Sequence, residues 1–137
     1  MKPEPTAPLL FKDVWAGYGL RAVLESVSFT LRRGTLTGLI GPNGSGKSTL
    51  IKVALGLLRL WRGSVRVLGM DPAEARERVG YMPQIELVDW DFPLSVEEAV
   101  LLGRYGRLRR LRPPDAADRS AVRAALERVD LWHLRQR

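Results

Sequence analysis

The sequence contains no cysteine and only one histidine, His133. The lack of cysteine excludes disulfide bonds and thiolate metal sites, and it is compatible with a reducing compartment. His133 has no partner ligands with which to form a metal site, so it is interpreted as a surface or interface residue. No apolar stretch approaches the roughly 20 residues that span a membrane. Residues 1–8 lack the apolar core and cleavage site of a secretory signal, so they are expected to form a disordered lead-in.

Acidic residues are scarce towards the end of the sequence. Residues 1–103 contain 12 basic and 11 acidic side chains, whereas residues 104–137 contain ten arginines and four acids. Such a basic segment fits nucleic acid or an anionic membrane surface as a partner, but a solvated helical face is the favoured interpretation. No aromatic residues interleave with the arginines of 107–112, as a surface that stacks single strands requires, so no nucleic acid is expected as a partner.

Short apolar segments follow one another along the chain, separated by turn residues such as those at 15–19 and 62–63. The predicted strands are 9–14 at a sheet edge, a half-buried 22–31, a buried 35–40, 64–69 and 79–84. The predicted helices are 47–58, 73–78 after the N-cap Asp71, one capped by Ser95 that reaches about Arg104, and one that begins at Asp115. This order predicts an α/β nucleotide-type core, with an antiparallel β layer before it and a helical insertion after it.

The most informative segment is the glycine-rich sequence GPNGSGKS at residues 41–48. It matches the pattern G-x-x-x-x-G-K-[ST] and lies between a predicted strand and a predicted helix. A triphosphate is best surrounded by backbone N–H groups and a helix N-terminus, and only small residues let the backbone approach its oxygens. The sequence therefore predicts a phosphate-binding loop.

Each residue of this segment has an expected part in the site. Lys47 places a positive charge near the terminal phosphates, and the Ser48 hydroxyl is a candidate ligand of Mg²⁺. The residues predicted to bind the ligand here are Gly41, Pro42, Asn43, Gly44, Ser45, Gly46, Lys47, Ser48 and Thr49.

With its flanks, this segment resembles the ATP-binding subunits of ATP-binding cassette (ABC) transporters. "GPNGSGKSTL" is the form of the loop found in that family, and "WAGYG" with "AVLESVSFTLRRG" resembles the family's opening. The resemblance implies that ATP and Mg²⁺ bind and that Tyr18 stacks on the adenine ring, although Tyr18 could instead fill a turn. "GYMPQ" resembles the segment that ends in the family's glutamine. Gln84 is thereby a candidate contact to Mg²⁺ and to the attacking water, and a candidate catalytic residue with Lys47; a solvated loop amide is the alternative.

A narrower likeness covers residues 88–107, which are similar to the corresponding segment of importers for manganese, zinc or iron, including chelated iron. It implies a transmembrane permease subunit, a second ATP-binding subunit and, indirectly, a periplasmic or lipid-anchored solute-binding protein as partners. The implied location is peripheral, on the cytoplasmic face of the cell membrane. Trp90 and Phe92 in this segment either dock against the permease or pack beneath their own loop.

The resemblance implies a P-loop NTPase cassette core with an antiparallel β layer over 9–84, and the start of a helical subdomain over 85–137. The family's "LSGGQ" signature, its strand ending in Asp-Glu and its switch histidine have no counterpart in the sequence. The chain is thus expected to be the amino-terminal part of an ABC-type ATPase and not to hydrolyse ATP alone. Two alternatives stay open: a soluble cassette ATPase acting on nucleic acid or ribosomes, and a non-catalytic nucleotide-binding fragment.

Overall fold

A computed structural model of the protein describes residues 7–82, 93–104 and 112–137. The chain divides into two compact units, Met1–Gly80 and Tyr81–Arg137. The first contains strands β1 (Leu9–Tyr18), β2 (Arg21–Leu31) and β3 (Arg62–Val67), and helices α1 (Lys47–Ala54) and α2 (Pro72–Ala75), the latter continued by a 3₁₀ turn at Arg76–Arg78. The second contains helices α3 (Val96–Leu102) and α4 (Ala116–Glu127) and a 3₁₀ turn at Trp132–Leu134. Helix and strand are mixed, as the predicted α/β class requires.

The three strands form an antiparallel sheet in the order β2-β1-β3. The prediction of an edge strand at 9–14 was wrong, because β1 is the central strand and Leu9 pairs with Leu31 on one side and Val67 on the other. The predicted turn at 15–19 was also wrong over most of its length. The strand runs on to Tyr18, since pairing with β2 on one side overrides the local turn preference of the glycines.

The core of the first unit lies between this sheet and the helices α1 and α2. Its buried side chains are Phe11, Val14, Ala16, Leu24, Val53, Val65, Val67 and Ala75. Phe11 and Phe29 stack with ring centroids 4.6 Å apart. Val53 is the residue of α1 that is buried in this core. The helix is thereby fixed on the sheet, and so is the segment that leads into it.

Helix α1 ends four residues earlier than predicted. Its last residue is Ala54, and Gly56 follows with a φ of +63°. Leu57, predicted to lie on the buried face, is consequently 59% exposed. Arg76 donates hydrogen bonds to the carbonyl oxygens of Leu55 and Gly56, so a cation satisfies acceptors at this end of the helix.

The pairing of β1 with β3 contains a β-bulge at 62–63, where the sequence predicted a turn. The register between the two strands shifts between Lys12 and Trp15, and Gly63 lies in β3 with a φ of +87°. Opposite it, Asp13 has a φ of +47° and its carboxylate accepts a hydrogen bond from Ser26 (2.8 Å). This bond, aided by Trp15 and Arg62, lowers the pKa of Asp13 from its ordinary value.

Replacing Gly63 with alanine is expected to lower the free energy of unfolding by about 2–4 kcal/mol, from backbone strain and overpacking together. A Cβ at this position would lie 2.1 Å from the Asp13 carbonyl oxygen. Gly34→Ala is the matched control, because Gly34 has a φ of +74° but nothing within 4 Å of its Cβ position. Urea denaturation of both variants measures the difference. Equal losses would contradict the close approach at the bulge.

The segment 35–40, predicted as a buried strand, has no regular secondary structure. Its apolar side chains face solvent, with Leu36 103% and Ile40 94% exposed. A strand forms only where a neighbour satisfies its backbone groups, and within the described part of the chain the three strands pair with one another instead. The predicted strand at 79–84 is likewise irregular over 79–82.

Helix α3 begins after the predicted cap Ser95, and Asp115, predicted to begin the next helix, is the N-cap of α4. Ser95 and Glu98 form a capping box at α3, and Asp115 and Asp118 form another at α4. The latter lowers the pKa of Asp115, through the hydrogen bond from the Asp118 backbone first and then through Arg112. Helix α3 ends at Leu102, two residues before the predicted end. No helix in the described ranges is long and apolar enough to cross a membrane.

Helix α4 buries Val122 and Leu126 as predicted, whereas Ala125 and Val129 from the same predicted face are exposed. The side chain of Asp118 is buried beside them, 2% exposed. It is paired with Arg104 at 2.8 Å and with Arg112 at 2.9 Å. The ends of two separate described segments, 93–104 and 112–137, are thus fixed to one carboxylate.

Candidate phosphate-binding site

The loop at residues 41–46 is shaped by two glycines with left-handed backbones. Gly44 has a φ of +81° and Gly46 a φ of +89°. Between them, the Ser45 N–H donates a hydrogen bond to the Pro42 carbonyl at 3.3 Å, which closes the turn. Residues with a side chain are strained at such φ values, so the pattern of glycines read from the sequence has a direct conformational cause.

Gly46 also fixes the loop to the sheet. It is the N-cap of α1 and is buried, and a Cβ there would lie 3.2 Å from Leu24 Cδ2 and 3.3 Å from Val23 Cγ1. Both neighbours belong to β2. The end of the loop is therefore held against β2, and the first turn of α1 begins at this point.

Lys47 folds back over the loop from the first position of α1. Its ammonium donates hydrogen bonds to the carbonyl oxygens of Gly41 at 2.7 Å and Pro42 at 2.6 Å. An ammonium carries three N–H donors, so one of them is left for an anion. The arrangement places a positive charge directly above the loop.

The N-terminus of α1 adds to this positive character. No side chain from the described residues caps it, and no acidic residue lies in its first turn. The first N–H groups of a helix have no acceptor within the helix, and they carry the positive end of its dipole. Asn43, Ser45 and Ser48 are exposed around this end. Chemically, this is a site for an oxyanion such as a phosphate.

The Ser48 hydroxyl is also in a suitable place for Mg²⁺. The described residues contain no group of three or more His, Asp or Glu side chains that could hold a metal ion by themselves. Mg²⁺ does not need one, because it keeps several waters and is bound by one or two protein groups together with substrate phosphates. An exposed hydroxyl in the first turn of α1 fits this donor set.

Tyr18 lies at the end of β1, beside α1. The residue is 48% exposed, and the Lys52 ammonium lies 3.5 Å from its hydroxyl oxygen and 5.6 Å from its ring centroid. A hydrogen bond with Thr49, and then the neighbouring Lys52, lower the pKa of Tyr18 from its ordinary value. The structure thus brings the predicted base-stacking residue next to the helix that follows the loop.

Two features of the site were not found from the sequence. Lys52 was not singled out, because its contact with Tyr18 joins positions 34 residues apart and no local spacing reveals it. The burial of the Thr49 side chain was not foreseen either, and its predicted part in ligand binding stays a prediction. Gln84, predicted to contact Mg²⁺ and water, lies outside the described residues, as do Trp90 and Phe92.

A glycine loop that closes on a lysine and leads into a helix, set against an antiparallel β layer, places the chain among the P-loop NTPases. The sequence profile of the ABC transporter family matches residues 24–137. The chain belongs to that family.

Known proteins with similar sequences and structures agree with this assignment. The chain is 44% identical over 124 residues to the manganese transport system ATP-binding protein MntB of Bacillus subtilis, covering 90% of this chain and 50% of that protein. It is 42% identical over 119 residues to the zinc transport system ATP-binding protein TroB of Treponema pallidum, covering 87% and 45%. A solved structure of an ATP-binding subunit of an ABC transporter superposes with a TM-score of 0.73 at 30% identity, covering 93% and 52%. The chain thus spans about half the length of the relatives it matches.

Proposed function

We propose that the chain is the ATP-binding part of an energy-coupling ABC subunit that drives import of metal ions: manganese, zinc, or iron as the ion or a chelate. The observation that carries the proposal is the loop at 41–46, with Lys47 above it and the uncapped α1 behind it. Compact, highly charged phosphates are the ligand that this combination of backbone donors and positive charge favours. The substrate class rests on the relatives named as manganese and zinc transport proteins.

In the proposed complex, the β- and γ-phosphates of ATP lie within the loop. The free backbone N–H groups at the N-terminus of α1 are proposed to donate to their oxygens, and the free donor of Lys47 to contact the terminal phosphates. The Lys47 ammonium already lies over the loop, so it needs only a small movement to contact the phosphates. Binding therefore requires little reorganisation of the loop.

Hydrolysis in the proposed parent enzyme depends on groups that are held in fixed positions around the γ-phosphate of ATP. Ser48 would hold Mg²⁺ through its hydroxyl, and the ion would supply neutralisation of the phosphate charge. Gln84 is proposed to orient the attacking water. Lys47 stabilises the charge that develops on the transferred phosphoryl group.

The proposed partners are a transmembrane permease subunit and a second ATP-binding subunit, with a periplasmic or lipid-anchored solute-binding protein acting through the permease. The proposed location is the cytoplasmic face of the membrane. Trp90 and Phe92 form a pair of large aromatic side chains within the acidic and proline-containing segment 88–93. An apolar anchor with a polar rim is suited to docking, and we assign this segment to the permease contact.

The metal proposal is tested by measuring uptake of radioactive manganese, zinc and iron in cells whose gene for this chain is disrupted. Uptake of one of the three metals is expected to fall, and the intact gene should restore it. The same gene carrying Lys47→Ala is expected not to restore it, which ties transport to the phosphate site. Unchanged uptake of all three metals would remove the import assignment while leaving nucleotide binding intact.

Replacing Tyr18 with alanine is expected to weaken ATP binding by about 1–3 kcal/mol, the range measured for loss of base stacking on an aromatic side chain. Tyr18→Trp should retain most of the affinity, because it keeps an aromatic face at the end of β1. Titration calorimetry with Mg-ATP measures both variants. If the alanine and tryptophan variants bind alike, Tyr18 does not stack on the base.

A further inference from the structure

We propose that the free edge of β3 binds an extended acidic peptide segment of a partner protein. The site is a groove of about 570 Å³ formed by β3, the segment 56–60 after α1 and the beginning of α2. All of these elements belong to the first unit. The described residues that line the groove include none from the phosphate loop, so the inference does not depend on the proposed function.

Strand β3 is paired along one edge only within the part of the chain that the structure describes. The Leu68 N–H donates a hydrogen bond to the Pro8 carbonyl at 3.0 Å, so every second residue back from Leu68 directs its backbone groups towards β1. Val67 faces the other way and exchanges two hydrogen bonds with Met70, at 3.0 and 2.9 Å. Val65, two residues earlier, therefore turns its N–H and C=O away from β1.

The backbone of Val65 offers a donor and an acceptor to a second strand. Val65 lines the groove, and its N–H and C=O have no hydrogen-bond partner among the described residues. The residue is nevertheless only 4% exposed. Since buried backbone groups are nearly always paired, a ligand with a matching acceptor and donor is expected there. One residue of an extended peptide supplies both, as in the addition of a strand to a sheet edge.

The side chains of the groove favour a peptide that is both acidic and apolar. Arg59 and Arg66 line it and are exposed, and neither has a carboxylate partner in the described ranges. Asp71 is the one acid among the described lining residues, and its carboxylate accepts a hydrogen bond from the Ala73 N–H at 3.1 Å. Leu57, 59% exposed, adds an apolar surface. Glutamate or aspartate side chains alternating with apolar ones are the complement of this lining.

The walls of the groove are already held in place. Arg76, which follows α2, donates hydrogen bonds to the carbonyl oxygens of Leu55 and Gly56 at the end of α1. A Cβ on Gly56 would lie 3.0 Å from the Ala73 nitrogen, so the two walls are in contact at one end of the groove. Binding therefore requires little ordering of the protein, and this favours affinity.

The probe is a six-residue peptide of alternating valine and glutamate, as long as β3, with both ends blocked. Backbone amide NMR of the isotope-labelled chain is expected to show saturable shifts at Val65 and at residues 57–60. Exchange of the Val65 N–H with solvent should slow in the complex, because that group is then hydrogen bonded. The same peptide with methylated backbone nitrogens keeps its charge but cannot donate, and its Kd should be roughly tenfold higher. A peptide with lysine in place of glutamate should not bind.

Charge reversal on the chain tests the two arginines. Arg59→Glu and Arg66→Glu are each expected to raise the Kd of the glutamate peptide roughly three- to tenfold. Arg33→Glu is the matched control, because Arg33 is exposed in the turn after β2 and does not line the groove. It should bind the peptide as the unchanged chain does. The affinity for Mg-ATP should be the same in all three variants.

No shift in the groove at millimolar glutamate peptide would overturn the inference. Equal binding of the methylated peptide would do the same, because the groove would then be a simple anion site. So would an Arg33→Glu variant that loses as much affinity as the two groove variants. Tighter binding of a single-stranded DNA hexamer than of the peptide would assign the groove to nucleic acid and overturn the inference as well.

Discussion

Lys47→Ala is expected to weaken Mg-ATP binding by about 1.5–3 kcal/mol, which corresponds to roughly a 10- to 150-fold higher Kd. The substitution removes the charge that lies over the loop and the one ammonium donor that is not engaged by Gly41 and Pro42. Both existing hydrogen bonds are exposed, so their loss should lower the stability of the fold only slightly. Titration calorimetry measures the affinity, and thermal unfolding checks that the loss is one of binding.

Lys12→Ala controls for the change in net charge, because Lys12 is exposed on β1 and outside the loop. Its ATP affinity should match that of the unchanged chain within error. Tripolyphosphate should lose as much affinity as ATP in the Lys47 variant, because the lysine acts on phosphates and not on the base. Equal ATP affinity for the Lys47→Ala and Lys12→Ala variants would place the nucleotide elsewhere.

Replacing Asp118 with alanine is expected to lower the stability of the second unit by about 2–4 kcal/mol, from lost charge-assisted hydrogen bonds and a weakened helix cap. The carboxylate is 2% exposed and accepts hydrogen bonds from Arg104 and Arg112. Its removal takes the buried partner from both guanidinium groups, and Arg112 retains its pair with the exposed Asp115. It also removes the residue that completes the capping box at α4. Hydrogen exchange of the amides in α4 reports the free energy of opening of this helix directly.

Glu127→Ala is the matched control, because Glu127 pairs with Arg123 on the same helix, but both side chains are exposed, 61% and 49%. Such a surface pair contributes only about 0.3–0.5 kcal/mol. The expected loss of exchange free energy is therefore several-fold larger for Asp118→Ala than for Glu127→Ala. A loss at Asp118 no greater than that at Glu127 would show that the buried network does not hold the unit together.

Local chemistry explains which parts of the structure could be predicted from the sequence. The phosphate loop followed from the positions of its glycines and lysine, and the structure gives Gly44 and Gly46 the positive φ values that the motif requires. The caps at Ser95 and Asp115 were equally predictable, because a capping box depends on residues only three positions apart. Interactions of this short range can be predicted because the residues that make them are close together in the sequence.

Features that depend on distant segments could not be predicted in the same way. Nothing in residues 9–14 says that β1 pairs on both sides, and the bulge opposite Gly63 arises only when β1 and β3 meet. The apolar segment 35–40 matches a buried strand in composition, yet composition cannot supply the neighbouring strand that such a segment needs. The contact of Lys52 with the Tyr18 hydroxyl depends on the same long-range packing.

The central claim is that the loop at 41–46 and the first turn of α1 bind the phosphates of ATP. The most direct measurement is backbone amide NMR of the isotope-labelled chain, titrated with Mg-ATP and, in parallel, with Mg-tripolyphosphate. Both ligands are expected to shift the amide signals of Gly44, Gly46, Lys47 and Ser48, and ATP alone should also shift those around Tyr18. Saturable shifts confined to other residues, or no shifts in the loop at millimolar ATP, would contradict the claim.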